Sequence, residues 1–110
     1  MIRQSYTAVI ERNQELSGQF ASEPYECGWA SEAIFFIRKL ATTGTVTGTK
    51  LRVQISADGI HWCDEGTTTA LTNAEVDFCK VSHFGNWLRL AGELPEGATA
   101  RLLITLSLKE

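Results

Sequence analysis

The sequence predicts an all-β domain: a single, jelly-roll-like β-sandwich of about eight short, mostly antiparallel strands. Three observations carry that expectation. Several segments alternate apolar and polar residues with period two, the period at which successive side chains reach opposite faces of a sheet. Turn pairs ending in glycine (Thr43-Gly44, Thr47-Gly48, Asp58-Gly59, Glu65-Gly66, Phe84-Gly85 and Glu96-Gly97) separate these segments at short intervals. The 110 residues, 44% of them hydrophobic, suit one domain with one core, so residues 1–110 are read as a single unit.

The elements follow in order. Ser5 to Arg12 sets Tyr6, Ala8 and Ile10 against Thr7, Val9 and Glu11. Leu16 to Ala21 reads as a short strand containing Gly18. The next segment admits two readings. Trp29, Ala33, Phe36, Ile37 and Leu40 fall at helical spacing, and a helix there would make an α+β domain. The run Ile34-Phe35-Phe36-Ile37 has the β propensity of a strand, and Ala33 to Leu40 is favoured as one. Lys50 to Ser56 points Leu51, Val53 and Ile55 inward and Arg52, Gln54 and Ser56 outward. Ile60 to Asp64 centres on Trp62, which is expected in the core, and Glu75 to Val81 centres on Phe78. Asn86 to Ala91 puts Leu88 and Leu90 on one face and Trp87 and Arg89 on the other. The last strand alternates Leu102, Ile104, Leu106 and Leu108 with Leu103, Thr105, Ser107 and Lys109.

The stretch Val53-Gln54-Ile55-Ser56-Ala57-Asp58-Gly59-Ile60-His61-Trp62 has the form V-x-x-S-x-D-G-x-x-W. It resembles a hairpin of discoidin-like (coagulation factor 5/8 C-type) and carbohydrate-binding β-sandwiches, and of small β-sandwich proteins of phage tails and virions. Asn86-Trp87-Leu88-Arg89-Leu90 and the final strand resemble the strand pair that closes those sandwiches. The resemblance covers about half the chain and implies architecture, with no ligand, because ligand contacts in such modules lie on variable loops. Asp58-Gly59 supplies the positive φ that a tight hairpin turn needs.

Composition sets limits on partners. A net charge of −3 argues against nucleic acid, whose phosphates demand Lys and Arg. The longest strongly apolar stretch, Ala33 to Ile37, is too short for a membrane span. No apolar run follows Met1-Ile2-Arg3-Gln4-Ser5, so no secretory signal peptide is expected. With Cys27, Cys63 and Cys79 an odd set, the reading is reduced thiols in a cytoplasmic protein or in a particle assembled in the cytoplasm.

Chemistry-bearing constellations are sparse. His61-x-Cys63 and Cys79-x-x-x-His83 hold the donor types of a tetrahedral zinc site and converge if their segments pair. Their spacing matches no finger motif, so separate packed or surface residues are the favoured reading. Glu23, Glu26, Asp58, Asp64 and Glu65 could offer oxygens to a structural calcium; solvated loop carboxylates are the simpler reading. No Gly-x-Ser-x-Gly, phosphate loop or His-Glu-x-x-His is present. No cofactor and no enzymatic activity are expected.

What remains is binding. An Arg is rarely buried unless paired, so Arg89 is expected outside, and Trp87 with it. An outward Trp beside an Arg has the composition of an interface hot spot. The expectation is a non-catalytic assembly subunit, a homo-oligomer or particle subunit, with Trp87 and Arg89 at the contact. The alternative is a module that binds a glycan or another small ligand on its aromatic side chains.

Overall fold

A computed structural model describes residues 5–110, so the first four residues of the expected 1–110 domain lie outside the described part. The described residues form nine strands: β1 (Ser5–Leu16), β2 (Gln19–Ala21), β3 (Tyr25–Glu26), β4 (Glu32–Thr43), β5 (Lys50–Ser56), β6 (Cys63–Ala70), β7 (Val76–Ser82), β8 (Trp87–Glu93) and β9 (Thr99–Lys109). They make two antiparallel sheets. One has four strands in the order β1-β9-β4-β7; the other has five, in the order β2-β8-β5-β6 with β3 also on β8. The sheets face each other as a β-sandwich.

The alternation read from the sequence decides which side chains lie between the sheets. Leu102, Ile104, Leu106 and Leu108 of β9 are fully buried, as are Phe35 and Ile37 of β4, Leu51 and Val53 of β5, and Leu88 and Leu90 of β8. Burying each such side chain contributes about 1.5–3 kcal/mol. The ambiguous segment is a strand. Pairing with β9 on one side and β7 on the other satisfies its backbone groups, and its alternation sends Phe35 and Ile37 inward and Phe36 outward. No helix is present among the described residues.

Four local expectations are corrected. Leu16 to Ala21 is not one strand. Leu16 ends β1, Gly18 turns the chain at φ +59°, and β2 joins the other sheet. Ile60 to Asp64 is not a strand: residues 57–62 form a loop and β6 begins at Cys63. The hairpin turn is therefore six residues wide and not a two-residue turn. Trp62, expected in the core, is half-buried outside it, for reasons given below. Finally, Tyr25–Glu26 adds a strand with no periodic signal.

Strand irregularities shape the rims. β1 shifts register between Val9 and Glu11 and again between Arg12 and Gln14, where Asn13 takes φ +50°. β6 is out of step with β5 between Thr68 and Asp64, across Gly66. The crossing between sheets is tied down at Ser22 and Glu23. Ser22 N–H donates to Leu90 O, Leu90 N–H donates to Ser22 Oγ, and Glu23 N–H donates to Ile10 O.

Candidate functional site

The outer face of the five-stranded sheet holds the residues the sequence singled out. Register places Gln54 of β5 between Arg89 of β8 and Asp64 of β6, and Ser56 beside Trp87. The Arg89 Nε–H donates to Gln54 Oε1 at 2.7 Å, and the Gln54 amide donates to Asp64 Oδ1 at 3.0 Å. Arg52 Nε–H donates to the same Asp64 oxygen at 3.2 Å. The Arg89 guanidinium then lies 4.4 Å from the centre of the Trp62 ring, a cation–π contact. Trp62 thus sits outside the core because Arg89 projects from the outer face and carries the ring with it.

The loop between β5 and β6 explains how Trp62 and Trp87 reach this face. Ser56 Oγ accepts from the N–H groups of Asp58 and Gly59, and Asp58 Oδ1 accepts from those of Ile60 and His61. The His61 ring meets Asp58 Oδ2 at 2.7 Å. These His61 contacts, then the Ile60 N–H and the Ser56 hydroxyl, hold the Asp58 carboxyl well below the usual carboxylate range. Gly59 is needed twice. Its φ is +79°, and a Cβ there would lie 3.0 Å from the Trp87 ring, which packs across the turn. Trp87 and Arg89 are both half-buried, with their contacts made inside the chain.

The metal-ligand candidates do not come together. His61 and Cys63 are exposed at the loop, whereas Cys79 points into the core from β7 and His83 is exposed after it, at φ +57°. Among the described residues, no three His, Cys, Asp or Glu side chains are grouped to hold a metal ion. The acidic residues are dispersed as well: Asp58 serves its own loop, Asp64 serves Arg52 and Gln54, and Glu65 accepts from Thr67 N–H. Burial pushes the Cys27 thiol up to about 12 and that of Cys79 to about 11, so neither is a nucleophile at neutral pH. A surface depression of about 600 Å³, lined by Thr47, Lys50, Glu93 and Glu96 among others, holds no histidine, cysteine or aromatic side chain.

Sequence reading missed the second surface. The outer face of the four-stranded sheet carries exposed apolar side chains: Phe78 (55% exposed), Val76 (46%), Val9 (44%) and Phe36 (37%). Register puts Val9, Thr105, Phe36 and Phe78 in one row across all four strands. The Phe36 and Phe78 rings touch, with centroids 6.4 Å apart. The signal was present in β7, where Asp77, Cys79 and Val81 point inward and leave Phe78 outward. Centring that strand on Phe78 left open which face the ring takes.

Neither a protein-family model nor a curated protein matches the sequence. Solved structures do match in fold. The SPBc2 prophage-derived protein YomS superposes with a TM-score of 0.66 at 8% identity, over 100% of this chain and 96% of that one. The PBSX exported protein XepA does so with a TM-score of 0.58 at 8% identity, over 97% of this chain and 36% of that one. A chain of the infectious bursal disease virus structure gives a TM-score of 0.51 at 12% identity, over 97% of this chain and 32% of that one. At these identities the likeness shows a shared β-sandwich.

Proposed function

We propose that this chain is a non-catalytic structural module that associates with copies of itself through the β4–β7 side of the four-stranded sheet, as a subunit of a phage-type particle. One observation carries the reading: Phe36, Phe78 and Val76 form a contiguous apolar surface left exposed among the described residues. An apolar patch left in water on a small acidic domain is a liability unless a partner covers it. The fold shared with prophage-derived and viral chains supports a particle setting. The sequence had pointed to Trp87 and Arg89. Those side chains are engaged with Gly59, Gln54 and Trp62, whereas the exposed Phe36, Phe78 and Val76 lie on the opposite sheet. We place the contact there.

The test is solution mass by light scattering. The wild type should exceed monomer mass, and Phe78→Lys should return it to monomer with its β circular dichroism signal intact. A wild type that stays monomeric at high micromolar concentration overturns the reading. If Trp87→Ala with Arg89→Ala dissociates the assembly while Phe78→Lys does not, the contact belongs on the five-stranded sheet. The alternative, a glycan- or small-ligand-binding module, places its ligand on the Trp62, Arg89, Gln54 and Asp64 array. It requires a change in tryptophan emission on titration with oligosaccharide.

A further inference from the structure

Sheet edges are where β proteins join, because an edge strand presents unpaired N–H and C=O groups. The edges of this sandwich are not alike. β1 is broken by two register shifts, and β6 by one at Gly66. β2 and β3 have three and two residues. β7 differs: it lies at the end of its sheet and pairs with β4 residue for residue from Arg38↔Val76 to Glu32↔Ser82, without a shift.

The hydrogen-bond phase of that pair tells which groups β7 leaves open. Lys39 N–H donates to Glu75 O, which makes Lys39 and Glu75 a hydrogen-bonded pair. Bonded and non-bonded pairs alternate along antiparallel strands. Val76, Phe78 and Lys80 therefore fall at non-bonded positions, and their N–H and C=O groups point away from β4. The same residues carry their side chains on the outer face, so the open edge and the apolar surface coincide.

We infer that β7 is the edge at which two copies of this chain join, each β7 pairing antiparallel with the other about a twofold axis at Phe78. The inference rests on the self-association proposed above and specifies its geometry. Among the registers centred on one of the open residues, charge favours one. Centring on Lys80 would oppose two lysines directly, which is destabilising. Centring on Val76 would leave little strand to pair. Centring on Phe78 sets Lys80 across from Val76 of the second copy, beside the Arg38–Glu75 ion pair, where Glu75 answers its charge. It also joins the two Phe36–Phe78 pairs into a single aromatic row, a favourable cross-strand arrangement.

Amide hydrogen exchange read by NMR on the wild type, alongside light scattering, tests the geometry. As concentration rises and mass increases, exchange at Val76, Phe78 and Lys80 should slow by about tenfold, the factor expected at nine-tenths occupancy. If mass increases while these three amides exchange as before, edge joining is overturned and self-association stands. If the mass stays monomeric throughout, both fail. A covalent readout fixes the register. In a Cys63→Ser background, Phe78→Cys should oxidise to a disulfide-linked dimer, because facing hydrogen-bonded residues have Cα atoms about 5.5 Å apart, within disulfide reach. A variant that associates without cross-linking overturns the Phe78-centred register.

Discussion

Removing the Asp77 carboxylate should be among the costliest polar changes in the molecule. Asp77 points inward from β7, and its oxygens accept from Thr72 N–H at 3.0 Å, Thr72 Oγ1–H at 2.6 Å and the Lys39 ammonium at 2.9 Å. The Lys39 and Asp77 side chains are only 13% and 9% exposed, so little water can replace the lost partner. Breaking a buried pair by removing one member costs about 3–5 kcal/mol, because the other charge is left uncompensated. The residual exposure puts Asp77→Ala at the low end, about 3 kcal/mol, or roughly a 12 °C fall in melting temperature for a domain of this size. Asp77→Asn keeps the shape and one acceptor and should cost about 2 kcal/mol.

The same carboxylate should leave a pH signature. Burial pushes its pKa up, but the two Thr72 hydrogen bonds and Lys39 outweigh burial, and the net shift is downward. A group whose pKa is lower in the folded state stabilises the fold above its unfolded value, near 3.9, and loses that contribution as pH falls through the folded value. Urea unfolding of wild type and Asp77→Asn should therefore show the full gap at pH 7 and a shrinking gap below about pH 4. A variant within about 0.5 kcal/mol of wild type at neutral pH, or a gap that does not change with acidification, would refute this reasoning.

Three further outcomes follow from the geometry. Gly59→Ala should cost about 2 kcal/mol and shift tryptophan emission, since it strains a positive φ and drives a methyl into the Trp87 ring; an unchanged melt would show that the ring moves aside freely. Phe35→Ala should cost about 3–5 kcal/mol and Trp62→Ala only about 1–2, because one ring is in the core and the other lies under a guanidinium; equal melting shifts would contradict that division. A thiol reagent should modify Cys63 alone in the native protein and all three cysteines after denaturation without reductant; rapid native reaction at Cys27 or Cys79 would contradict their burial.

The core was legible in the sequence because burial on one face of a strand writes itself as period two. Leu102 to Leu108, Leu51 with Val53, and Leu88 with Leu90 needed no other information. Trp62 was misplaced because its position depends on Asp58 and Ser56 organising a six-residue loop and on Arg89 arriving from a strand distant in sequence. No local pattern encodes that meeting. The apolar outer row was obscure for a related reason. Phe36 and Phe78 become neighbours only through the register of β4 with β7, and each alone looks like core. The His and Cys candidates shared parity in the sequence, but Cys63 and Cys79 stand on different sheets and the two histidines lie outside the strands, which parity cannot reveal.

The position of β9 governs when this protein can fold. β9 lies between β1 and β4, pairing Lys109 with Ser5 on one side and with Glu32 on the other. During synthesis β1 lacks the strand it pairs with until β9 is made, so its ladder closes over about a hundred residues of chain. Such long closures carry the entropy cost that makes all-β domains slow folders. Until β9 arrives, the edges of β1 and β4 that it will join stand unpaired, open to any neighbouring chain. A truncation that removes β9 should thus yield an aggregating chain with no smaller folded domain, and in the cell the unfinished protein is the form that most needs protection.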